Sequence, residues 1–126
     1  MAPQMHTDEH RLNETTERII KCVYVVANTL GNGFLEKVYE NALAHELRKP
    51  NLLVEQQRDV KVLYDGVVVG DHTADLIVQK EILVELKAVK ALDNIHVAQC
   101  LNYLKVSGFK VCLLINFGHL RFKSDG

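Results

Sequence analysis

At 126 residues, with 48% hydrophobic and 25% charged residues, the chain has the size and composition of one domain around one core. A formal net charge of -1 excludes a protein that grips nucleic acid through an overall basic excess; such a surface must be a local patch or borrow charge from a bound metal. No stretch approaches the ~20 apolar residues of a membrane span, and the polar start (MAPQMHTDEHRLNE) has no apolar signal core, so the expected location is the cytoplasm.

Residues 1 to about 7 read as a disordered tail. His6 and His10 are four apart, but in so polar a segment a metal pair is not expected. A helix follows from Asp8 or Asn13 to Leu30, with Ile19, Val23, Val26, Ala27 and Leu30 as its apolar stripe. Gly31 and Gly33 supply its stop. A second helix is expected from Phe34 to Arg48, burying Leu35, Val38, Tyr39, Ala42 and Leu43. The period then changes to two. Leu53 to Tyr64 reads as a strand, Asp65-Gly66 as a hairpin turn, and the β-branched Val67-Val68-Val69 as the entry to the next strand. Asp93 caps a third helix that Gly108 ends. Lys110 to Asn116 is a nearly continuous apolar run suited to a strand buried on both faces, and Leu120 to Lys123 reads as a short edge strand. Cys22, Cys100 and Cys112 lie in apolar segments without C-x-x-C spacing, so buried reduced thiols are expected. The order α-α-β-β-β-α-β predicts a mixed sheet flanked by helices in a single domain.

The stretch from Asp75 to Lys87 carries the chemistry. Glu85 and Lys87 share a strand face; whether Asp75 joins them depends on the turn. A two-residue turn at Lys80-Glu81 puts Glu85 on the other face. A three-residue turn, Lys80 to Ile82, pairs Ile77 with Glu85 and Asp75 with Lys87, and leaves Leu76, Val78, Val84 and Leu86 as one apolar face. Burial favours that register, although a bulge would rescue others. Two adjacent carboxylates repel unless a cation lies between them. Hard oxygen donors select Mg²⁺ or Mn²⁺, and such an ion activates water and stabilises charge on a phosphate. A polar sheet face with a lysine–carboxylate pair accounts for the same spacing. Glu36 and Tyr39 lie three apart on the second helix, Gln99 and Tyr103 four apart on the third, and Lys90 just beyond Lys87. Each also has a plain reading as a helix-end charge, a core-edge pair or a surface lysine.

Taken together, these residues resemble the GxxExxY proteins of the PD-(D/E)XK nuclease superfamily, from about residue 14 to Phe122. Gly33, Glu36 and Tyr39 match the naming motif, Ala74-Asp75 stands where the superfamily has Pro-Asp, Glu85-Leu86-Lys87 matches E-x-K, and Gln99 with Tyr103 matches Q-x-x-x-Y. Leu114 to Gly118 looks like the family's final core strand. The resemblance implies an α/β (α+β), restriction-endonuclease-like αβββαβ core with an extra N-terminal helix. It implies a Mg²⁺- or Mn²⁺-dependent nuclease. DNA is expected ahead of RNA as the substrate, and a homodimer, which would enlarge the groove, is the expected assembly. Asp75, Glu85 and the Leu86 carbonyl would hold the metal, with Glu36 as an accessory ligand. Lys87 would position the water, and Gln99, Tyr103, Tyr39 and Lys90 would face the substrate. Ala74 replaces the motif proline, which is not a ligand. His72-Thr73 puts no lysine or arginine just before Ala74. The competing reading is a non-catalytic module of the same fold that binds nucleic acid, a nucleotide or a protein partner.

Overall fold

A computed structural model describes residues 2–119, and the side chains from residue 9 to residue 118. Its elements are α1 (Ala2–Leu30), α2 (Glu36–Arg48), β1 (Val54–Tyr64), β2 (Val67–Val78), β3 (Ile82–Lys87), α3 (Asn94–Ser107), β4 (Val111–Asn116) and a 3-10 turn (Phe117–His119). This is the expected order. α1 continues back to Ala2, through the segment read from sequence as a tail. The edge strand expected at Leu120 to Lys123 lies outside the described residues.

The four strands stand in the order β1-β2-β3-β4. β1, β2 and β3 form an antiparallel meander, and β4 returns through α3 to lie parallel to β3. The result is an α+β fold consistent with the restriction-endonuclease-like core. α1 and α2 cover one sheet face. There Ile19, Val23, Val26, Ala27, Tyr39, Leu43 and Leu47 meet Leu76, Val78, Ile82, Val84 and Leu86. α3 covers the other, where Tyr103, Phe109 and Cys112 pack around Val60, Ala74, Ile77 and Leu83. Alternation of side chains along β3 decides both halves: even positions enter the α1/α2 core and odd positions face α3.

Four expectations are corrected. The buried face of α2 is Tyr39, Glu40, Leu43, Ala44 and Leu47, while Leu35 and Val38 are exposed; the helix is rotated so that a carboxylate joins its apolar stripe. β4 is half-buried at every position, because the strand order puts it at the sheet edge. Cys100 and Cys112 form a disulfide with Cα atoms 6.2 Å apart, joining α3 to β4; only Cys22 remains a thiol, raised in pKa chiefly by burial. Finally, the β2–β3 turn is Gln79-Lys80-Glu81, with Gln79 and Lys80 in the left-handed region (φ 56° and 57°). It pairs Val78 with Ile82, Ile77 with Leu83 and Leu76 with Val84, two residues from the expected register. Ile82 is thereby fully buried instead of standing in the turn. A slip of two keeps every side chain on its face, so the apolar face of Leu76, Val78, Val84 and Leu86 survives.

A carboxylate site where two strands part

β2 and β3 pair over only three residues and then separate. Asp75 stands at the opening, next in line to face Glu85. Its Oδ2 accepts a hydrogen bond from the Leu86 N–H at 2.7 Å, so the side chain occupies a backbone donor that a longer ladder would have used. Its Oδ1 accepts from Gln57 Nε2 at 3.3 Å. Asp75 is therefore tied to the backbone of Glu85-Leu86-Lys87 on one side and to β1 on the other.

Glu85 points into the α3 side. Its carboxyl pKa is raised, first by burial and further by the Asp75 charge, against the opposing pull of His72 and Lys87. When Glu85 is ionised, the His72 Nε2–H donates to its Oε2 at 2.7 Å. The His72 ring lies flat on Tyr103, with centroids 3.7 Å apart and an interplanar angle of 10°. Glu85, Lys87, His72, His96, Gln99 and Tyr103 line one pocket of about 50 Å³ beneath α3. The Asp93 N–H donates to His96 Nδ1 at 3.1 Å at the start of that helix, and Gly108 ends it in the left-handed conformation (φ 80°).

Beyond Lys87 the chain is clamped. Asn116 Oδ1 accepts from the Val89 N–H at 3.0 Å and its Nδ2 donates to the Val89 carbonyl at 2.9 Å. Gly118 N–H bonds the same Oδ1, and a Cβ on Gly118 would sit 2.5 Å from Val89 N. Only glycine lets the 3-10 turn approach so closely. Lys90, just past the clamp, is exposed and does not line the pocket.

The pocket thus gathers Glu85, Lys87, Gln99 and Tyr103, and Asp75, outside its lining, is joined to the same strand through the Leu86 N–H. Glu36 is exposed in the first turn of α2, with no hydrogen bond or ion pair to the hairpin among the described residues. Tyr39 is buried in the core, stacked on Phe117 at 4.5 Å, and its hydroxyl donates to the Gly31 carbonyl. Three residues to which the sequence assigned no site role, His72, Glu40 and Gln57, belong to the neighbourhood. His72 holds Glu85, and Glu40, 3% exposed, accepts from Gln57 Nε2 at 2.7 Å. Glu40 was findable: it lies three and four residues before Leu43 and Ala44, on the buried stripe. The larger cavity, about 370 Å³ between β1 and the end of α3, lies away from these carboxylates. Two of its cations are already paired, Arg58 with Glu55 and Lys61 with Asp71.

The donor chemistry fits a hard divalent cation. The burial and carboxylate repulsion that raise Glu85 are relieved when a cation arrives. Among the described residues no three His, Cys, Asp or Glu side chains converge on one point. An ion held here would have two carboxylates and retained water as ligands, as Mg²⁺ accepts.

The family model for the PD-(D/E)XK nuclease superfamily matches residues 13–125. The chain belongs to that superfamily, whose members act on nucleic acid and typically use divalent metals. No curated protein sequence and no solved structure matches it. No helix among the described residues is long and apolar enough to cross a membrane.

Proposed function

We propose that this protein is a Mg²⁺- or Mn²⁺-dependent nuclease hydrolysing phosphodiester bonds at Asp75, Glu85 and Lys87, and that within the superfamily it is a GxxExxY protein. The observation that carries the reading is the bond from Leu86 N–H to Asp75 Oδ2, which couples the acid of β2 to the E-x-K segment of β3 where the strands part. Asp75 and Glu85, with the Leu86 carbonyl, would hold the cation, which supplies water of lowered pKa and charge neutralisation at the phosphate. Lys87, on the same face as Glu85, orients the attacking water and offers its ammonium to the developing negative charge. Gln99, exposed on α3 beside the pocket, donates to the phosphate backbone, and Lys90 extends the cationic rim. Tyr103 acts through His72, which it holds against Glu85. Tyr39 shapes the turn before α2. Glu40, the buried acid of α2, is joined to Asp75 through Gln57 and steadies it from outside the ligand set. DNA is the favoured substrate, and a homodimer would widen a surface too small to grip a duplex alone.

The test incubates plasmid, linear duplex, single-stranded DNA and RNA with Mg²⁺ or Mn²⁺, alongside Glu85→Ala. Metal-dependent cleavage is expected, and the variant should lose more than about 100-fold, since even outer partners of a ligand cost 10–100-fold. A chain that cuts none of these and binds neither cation in a calorimeter is not a nuclease. Binding of nucleic acid without cutting would point to the non-catalytic module.

A further inference from the structure

Five non-glycine residues among those described have positive φ: Asn51, Gln57, Asp65, Gln79 and Lys80. Four stand in turns; Gln57, at φ 52°, stands inside β1. Such strain within a strand persists only where the surroundings over-determine it, and it gathers at functional sites. Its effect is to change the face that the side chain takes. Glu55 lines the cavity on the α3 side with Val106 and Phe109. In a regular strand Gln57 would share that face; instead it reaches α2 on the other side.

There its amide sits between two carboxylates. Gln57 Nε2 donates to Glu40 Oε1 at 2.7 Å and to Asp75 Oδ1 at 3.3 Å, which uses both N–H donors of the amide. Glu40 is otherwise served by Gln56 Nε2 at 2.7 Å and Lys37 Nζ at 3.2 Å, both on Oε2; Gln57 supplies its other oxygen. Asp75 is likewise held from two sides, by Gln57 from β1 and by Leu86 N–H from β3. We propose that Gln57 is the positioning residue of the site: its bent backbone aims one amide at both acids, fixing the Asp75 carboxylate for metal and keeping it apart from Glu40. This rests on the metal-site reading above. The chemistry demands this side chain. Leucine donates nothing, glutamate would set a third acceptor against two, and asparagine on the same bend is one methylene too short to span both acids.

The experiment titrates Mn²⁺ calorimetrically into the wild-type chain, Gln57→Gly and Gln57→Asn, and records the thermal midpoint of each. Glycine adopts positive φ freely, so Gln57→Gly should keep the bend and fold, with a midpoint a few degrees lower because Glu40 Oε1 loses its donor. Its Mn²⁺ affinity should fall about 10- to 100-fold, the loss typical of a second-layer partner. Gln57→Asn also tolerates the left-handed backbone and should lose affinity in the same direction, which keeps the test open if glycine impairs folding. Unchanged affinity in a folded variant overturns the positioning role and leaves the metal site standing. A wild-type chain that binds no Mn²⁺ overturns the metal-site reading and this inference with it.

Discussion

β2 belongs to two hairpins of opposite character. With β1 it shares ten residue pairs and runs out to an exposed tip, where Tyr64 is 74% and Val67 61% accessible. With β3 it shares three pairs, but Leu76, Val78, Ile82, Leu83 and Val84 are fully buried. The longer ladder has more hydrogen bonds, yet each of these replaces one to water and is worth only about 1 kcal/mol net. The shorter ladder has the burial. It also has the chemistry, because the parting of β2 from β3 frees backbone donors that a continuous ladder would consume, and Asp75 takes one.

The largest expected effects test that contrast directly. Ile82→Ala, in the short hairpin, should destabilise the fold by about 2–5 kcal/mol in urea denaturation. Val68→Ala, in the long one, should stay within about 0.5 kcal/mol. Comparable losses at the two sites would mean that hydrogen bonding, and not burial, carries the sheet. The next effect concerns the acid at the opening. Burial and Asp75 raise Glu85 above its ordinary value of 4.5, so the folded chain holds that proton more tightly than the unfolded one does. Stability from this group is therefore present below pH 4.5 and declines as pH rises through the raised value. Glu85→Gln should remove the decline, raising the thermal midpoint by a few degrees at neutral pH while abolishing Mn²⁺ binding. A lower midpoint for the variant at neutral pH would show that the His72 contact outweighs burial. The smallest effect lies at the turn between the hairpin strands. Arg11 hydrogen-bonds Glu81 and holds its carboxyl below the ordinary range. Glu81→Gln should cost under about 1 kcal/mol, because the pair is partly exposed and screened. That cost should vanish as pH falls through the depressed value, and a cost unchanged in acid would rule out the ion pair as its source.

Element order and side-chain faces were legible in the sequence because both follow from local periodicity. Leu76, Val78, Val84 and Leu86 had to be buried together, and that choice carried Glu85 and Lys87 to the opposite face whichever even register formed. The register itself was not legible, since a slip of two preserves every face. What settles it is the left-handed backbone at Gln79 and Lys80, residues with no strong turn preference. The neighbours of Asp75 were harder still. Gln57 falls opposite Asp75 in the register, but it reaches Glu40 as well only through a bend in β1 that alternation does not predict. The disulfide joins residues 12 apart on a helix and a strand, so it depends on how α3 docks. Glu36 drew attention by motif spacing, whereas the buried acid of the same helix lies one turn later at Glu40.

The Asn116 clamp gives the site an order of assembly. Val89, two residues past Lys87, is fixed by a side chain 27 positions further along the chain, and Gly118 must follow before the approach is complete. During synthesis, which delivers the N-terminal part first, α1, α2 and the whole meander exist before the segment beyond Lys87 acquires its anchor. The segment just past the lysine therefore has no anchor until the chain has been made as far as Gly118.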